Sequence, residues 1–135
     1  MTIINDIRAC LDTHLSGTVG IPAIAHQNVP YERTNGTAFV KADLIPTSRR
    51  PAVRGLNPQQ RYDGLYSLLI CTPEGLGPGA GYDIADLLLS RFNATTDISN
   101  NSYIVSVDYS EVRASFLDSP FYCTPITVGW HIYGQ

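Results

Sequence analysis

A chain of 135 residues has the length of one ordinary domain, and 44% hydrophobic against 16% charged residues is a globular composition. Apolar runs such as Leu68-Leu69-Ile70 and Leu87-Leu88-Leu89 fall far short of the ~20 residues that cross a bilayer as a helix, so a disordered chain and a membrane-spanning helix are both excluded. The expectation is one domain over residues 1–135, and, because the opening Met1–Arg8 carries Asp6 and no basic leader with an apolar core, a protein kept in the cytoplasm where it is made.

The net charge of −3 conceals a segregation. Arg33, Lys41, Arg49, Arg50, Arg54 and Arg61 against Asp43 give the middle of the chain +5. From Tyr62 onward, Arg91 and Arg113 against Asp63, Glu74, Asp83, Asp86, Asp97, Asp108, Glu111 and Asp118 give −6. Either the halves pair within one subunit or they meet between identical subunits in a head-to-tail contact, which closes a ring when the rotation allows. The basic residues are nearly all arginine, whose planar fork suits interfaces better than a lysine does.

In chain order, Thr2–Leu15 carries Ile4, Ile7, Leu11 and Leu15 at helical spacing, with Thr2 as candidate N-cap and Arg8, Asp12 and His14 on the solvent side. Ala23–His26 is an edge strand at best, and Thr34-Asn35-Gly36 is a turn signal. Thr37–Ile45 alternates as a strand, with Ala38, Val40, Ala42 and Leu44 on one face. Between Pro46 and Gln60, prolines and arginines predict an irregular loop. Arg61–Cys71 reads as a long strand with apolar residues on both faces, which implies cover on both, by helices on one side and by another subunit on the other.

Glu74–Gly81 is a glycine-rich linker into a second helix, Tyr82–Phe92, striped by Ile84, Leu87, Leu88 and Phe92. The linker lacks a Walker lysine and a surrounding parallel βαβ unit, and Asp83 and Asp86 are placed at the positive end of the helix, which argues against phosphate binding. Tyr103, Val105, Val107 and Tyr109 form one face of a further strand, and Tyr122–Tyr133 alternates as the last. The economical arrangement is an α+β fold, a mainly antiparallel sheet of about four strands with two helices packed on one face.

Nothing nominates catalysis. No nucleophile elbow, paired acid–base carboxylates or metal spacing is present, so catalytic, cofactor and metal residues are expected to be absent. Cys10, Cys71 and Cys123 are an odd count without C-x-x-C spacing and are expected to be buried thiols. The acidic pI of about 5.4 disfavours a dedicated nucleic-acid binder.

The segments His26–Glu32, Ala38–Pro46, Arg61-Tyr62-Asp63-Gly64-Leu65-Tyr66-Ser67-Leu68-Leu69-Ile70 and Ala85-Asp86-Leu87-Leu88 together resemble the tail terminator, or tail completion, proteins of long-tailed phages. The resemblance runs from the first helix to the last strand. It implies an α+β virion protein that assembles in the host cytoplasm as a ring, commonly a hexamer, on the head-proximal end of the tail. Such a ring stops tube polymerisation and offers a surface to the head connector. Its partners would be itself, the tail tube protein and the connector or stopper, with DNA only as passing cargo. In that setting Arg49, Arg50, Arg54 and Arg61 are the candidate subunit or ring contacts. The alternatives are another head–tail joining protein (a stopper or connector subunit) or a small cytosolic ligand-binding domain, which a closed apolar pocket around His26 or His131 would favour.

Overall fold

The computed structural model describes residues 3–29, 31–32, 36–52, 55, 59–75, 77–99 and 104–134. Helix α1 (Ile3–Ser16) and strand β1 (Ala23–Ala25) are followed by β2 (Phe39–Pro51), β3 (Gln60–Pro73) and helix α2 (Gly79–Arg91). Strands β4 (Asp97–Ser99), β5 (Ile104–Val112), β6 (Phe116–Asp118) and β7 (Phe121–Gly134) complete the chain. All seven strands join one sheet in the order β1-β2-β3-β7-β5-β4, with β6 also on β7, and the sheet curls into a half-barrel.

The expected sheet of about four strands is thereby corrected to seven, although the class is α+β overall. The additional strands β1, β4 and β6 are three residues each, too short for an alternation to register. β1 pairs parallel to β2, and every other pair is antiparallel.

The spine of the sheet is β3 against β7, paired from Gln60↔Gly134 to Pro73↔Phe121. Because side chains alternate along a strand, Tyr62, Tyr66, Leu68 and Ile70 of β3 share a face with Ile126, Val128, Trp130 and Ile132 of β7. That face is covered by Ile7, Leu11 and Leu15 of α1 and by Ala85, Leu88 and Phe92 of α2, so both helices pack on it. Each fully buried Val, Leu, Ile or Phe side chain among these contributes about 1.5–3 kcal/mol. A smaller cluster of Ala25, Phe39, Cys71, Phe121 and Cys123 occupies one end of the opposite face. There Phe39 meets Phe121 edge to face at 5.2 Å, and the opposed thiols of Cys71 and Cys123 lie 3.2 Å apart. All three cysteines are buried and free of disulfides.

Two glycines fix how the aromatic residues lie. Gly64 stands opposite Trp130, and a side chain there would overlap both the indole ring and the Ile45 carbonyl. Trp130 therefore lies flat across β3 instead of standing off it, and is only 1% exposed. On the opposite face Gly129 is overlaid by Tyr109. The alternation places Tyr109 with Val107, but the register of β5 against β7 shifts between Val107 and Tyr109. A bulge of this kind sends the next side chain to the other face, and Tyr109 is accordingly 42% exposed, not in the core.

The helices differ from expectation in detail. Ile7, Leu11, Leu15, Leu88 and Phe92 are buried as expected, but Ile4 and Leu87 are 42% exposed each, and Cys10 in α1 and Gly81 and Ala85 in α2 complete the buried faces. α2 starts at Gly79, so its first turn holds no acid, and the placement of Asp83 and Asp86 at the positive end is corrected. The candidate cap Thr2 lies outside the described residues.

Asp12 and His14 are not on a free solvent face. Asp12 accepts a hydrogen bond from the buried Tyr66 hydroxyl and pairs with Arg8 at 3.0 Å. Burial, then this bond, pushes the Tyr66 hydroxyl far above its usual range, which keeps it a donor. His14 Nε2 lies 2.9 Å from the Arg91 carbonyl while Arg91 Nε donates to the His14 carbonyl at 3.2 Å, clamping the ends of the two helices together. Burial lowers the His14 pKa, so the neutral ring makes this contact.

Gly64→Ala is expected to cost about 1–3 kcal/mol in chemical denaturation, because neither the packed indole nor the Ile45 backbone can withdraw. Gly129→Ala should cost clearly less, since the half-exposed Tyr109 ring can swing aside. Equal losses would contradict the role given to Trp130.

Candidate subunit interface

The four arginines singled out in the sequence divide three ways. Arg49 and Arg50 lie on β2 and Arg61 on β3, while Arg54 falls outside the described residues. The expected irregular loop between Pro46 and Gln60 is corrected: β2 continues to Pro51, pairing Arg49 with Tyr62, Arg50 with Arg61 and Pro51 with Gln60. The chain folds this way because a proline is tolerated on an edge strand or at a bulge. β1 ends opposite Lys41, which leaves the Pro46–Pro51 part of β2 as an edge, and a register shift falls between Pro46 and Ser48. Gln27 extends the cover of that edge slightly, its side-chain oxygen accepting from the Leu44 amide at 2.9 Å. Beyond this point the β2–β3 hairpin continues as a basic arm along the sheet edge, with β3 paired to β7 as far as Gln60↔Gly134 and the Ala52 amide bonded to the Gln59 carbonyl at 2.7 Å.

Asp63 organises the base of the arm. It accepts from Arg61 Nε at 3.0 and 3.2 Å and from Ser48 Oγ at 3.3 Å, and Arg50 lies 3.8 Å from it. Arg61 also donates to the Tyr133 hydroxyl at 3.0 Å, with its guanidinium 5.7 Å from that ring. The Asp63 hydrogen bond foremost, and then Tyr133, raise the Arg61 pKa further. Arg49 Nε donates to the Tyr62 hydroxyl at 3.0 Å, its guanidinium 5.6 Å from the ring. Arg50, 65% exposed and held among the described residues only by one long ion pair, is the most available charge of the three.

Sequence reading missed Asp63, Tyr62 and Tyr133. The spacing of Arg61 and Asp63, two apart on one strand, was a usable sign that they share a face. Tyr133 reaches Arg61 only through the β3–β7 register, which no local pattern encodes.

On the sheet face away from the helices, Ile45, Tyr109 and Tyr133 are 42–46% exposed and Leu65 and Leu69 are half-buried. Of the two histidines that would have marked a ligand pocket, His26 borders a cleft open to solvent and lies 3.8 Å from Asp12, and His131 bonds Asp108 at 2.6 Å. Among the described residues no three His, Cys, Asp or Glu side chains converge as metal ligands, and no helix is long and apolar enough to cross a membrane.

A helix-backed half-barrel sheet with a basic hairpin at its edge and a partly exposed outer face has the features of an assembly subunit. The phage tail terminator protein family matches residues 6–130, and the chain belongs to that family. Membership makes it a structural component of phage tail assembly, in a family of non-enzymatic virion proteins. A solved structure shares the fold with a TM-score of 0.75 over 98% of this chain and 96% of that chain, at 17% identity. No curated protein matches the sequence.

Asp63→Asn is expected to loosen the arm: hydrogen exchange at the amides of Ser48–Ala52 should speed up, while global stability falls by no more than about 1 kcal/mol, as for partly exposed ion pairs. Unchanged exchange in the arm would contradict the organising role of Asp63.

Proposed function

We propose that the protein forms a ring, a hexamer by the pattern of its family, that caps the head-proximal end of the tail tube. The ring ends tube polymerisation and presents the docking surface for the head connector, and DNA passes through it as cargo. The single observation that carries this reading is the match to the terminator family across nearly the whole chain, residues 6–130. Two features of the subunit support it. Its basic arm and its acidic remainder are separate surfaces, as a head-to-tail contact between identical copies requires. The outer sheet face, with Ile45, Tyr109 and Tyr133 exposed, is a second surface free to meet a partner such as the last ring of tube protein.

In this reading Arg49 and Arg50 make the subunit contact, while Arg61 supports the arm from within through Asp63 and Tyr133. The functional test is the tail-length distribution, by negative-stain electron microscopy, in a lysate of the source phage with this gene disrupted. Abnormally long or variable headless tails, restored to normal length by supplying the protein, are expected. Tails of normal length that stay unjoined to filled heads would instead make it a stopper or connector subunit.

A further inference from the structure

We infer that the outward face of α2 is the surface that receives the arginine arm of the neighbouring copy; the inference rests on the ring reading and names the receiving half of its contact. Seven of the thirteen residues of α2 are exposed, and after Gly79 and Ala80 of the first turn these are Tyr82, Asp83, Asp86, Leu87 and Ser90. Tyr82 is 46% and Leu87 42% exposed, large apolar side chains beside two carboxylates on a helix whose other face is committed to the core.

The carboxylates single out this face. Asp12, Asp63, Glu74, Asp97, Asp108 and Glu111 each hold a hydrogen bond or ion pair within the chain. Asp118 also has a partner, Asp6 is buried and Asp43 half-buried, and Glu32, exposed and without a hydrogen-bond or ion-pair partner among the described residues, has no second carboxylate on its segment. Asp83 and Asp86, by contrast, are exposed and have no hydrogen-bond or ion-pair partner among the described residues, and they stand three apart on one helix face. Arg49 and Arg50 are adjacent cations that the described residues hold only loosely, Arg49 through a neutral hydroxyl and Arg50 through a 3.8 Å pair, whereas Lys41, exposed and without such a partner among the described residues, is a single charge.

Geometry supports the same pairing. Consecutive residues of a strand point to opposite faces, so Arg49 and Arg50 flank the edge of β2 that β1 leaves uncovered. An arm laid edge-on along α2 brings one guanidinium to each side, toward carboxylates separated by about 4.5 Å of helix rise. Guanidinium forks bind carboxylates in bidentate fashion. Within one subunit the two surfaces lie apart: Arg49 and Arg50 sit at the Tyr62 and Arg61 rows, beside the Ile132 and Tyr133 end of β7, whereas the start of α2 packs through Gly81 on Thr124 and Thr72 near the other end. An arm on one copy and a helix face on the next make a heterologous contact, the kind that closes a ring.

The test is a charge exchange in the full-length protein, read by light scattering after size exclusion, with tail tubes of the same phage added where the protein does not assemble alone. Arg49→Glu with Arg50→Glu, and separately Asp83→Arg with Asp86→Arg, are each expected to raise the concentration needed for assembly at least about ten-fold, like charges then facing one another. Circular dichroism should show both variants folded. Mixing the two in equal amounts is expected to restore assembly, because in an alternating ring every arm meets a helix of opposite charge. The chain carrying all four substitutions should assemble for the same reason and in a ring of any size. A wild-type ring unaffected by either double substitution, or two defective variants that neither the mixture nor the fourfold variant rescues, overturns the docking assignment. Wild-type protein that stays monomeric both alone and with tail tubes overturns the ring reading beneath it.

Discussion

The packing of Trp130 across Gly64 sets the geometry on which the rest of the subunit depends. It fixes β7 against β3 at the one row where a bulky ring must lie flat on a neighbouring strand, and the absence of a Cβ at Gly64 makes the row possible. A slip of one residue would turn the core face of β7 away from that of β3, moving Ile126, Val128 and Ile132 out from under the helices. The cost is visible too, since the buried Trp130 indole N–H has no acceptor among the described residues, and an unmade bond of this kind costs about 1–3 kcal/mol. Retention of that cost is consistent with a ring chosen for shape and area over its polar atom.

That register also builds the arm. With β3 locked to β7, Arg61 falls beside Tyr133 and Asp63 beside His131, and Asp63 is then placed to gather Arg61, Ser48 and Arg50 at the foot of the hairpin. The pairs are partly exposed and individually weak. Their effect is to orient the Arg49 and Arg50 part of β2 at the edge of the sheet.

Much of this was legible in the chain. The long alternations over residues 61–71 and 122–133 marked the central strands, and the helical stripes marked both helices, because period and burial agree there. The arm was not legible, since prolines at 46 and 51 forbid a central strand but allow an edge, and only the uncovered flank of β2 tells which applies. Tyr109 was misplaced for a related reason: the bulge that redirects it is set by Gly129 across the sheet. Of the site, the arginines were visible by composition and charge, whereas Tyr62, Asp63 and Tyr133 became partners only once distant strands were in register. The helix acids were visible but misassigned, because the start of α2 at Gly79 leaves Asp83 and Asp86 beyond the first turn and on its open side.

Membership of the terminator family makes the chain a component of phage tail assembly, and the proposed head-to-tail ring would use its separate basic and acidic surfaces. The most direct measurement is a cryo-electron microscopy reconstruction of the head-proximal end of tails from the source phage. The expected map shows a closed ring of this chain as the last layer on the tube, each β2–β3 arm extended onto the adjacent copy. Tube protein running unbroken to the connector, or this chain found as single copies or elsewhere in the particle, would contradict it.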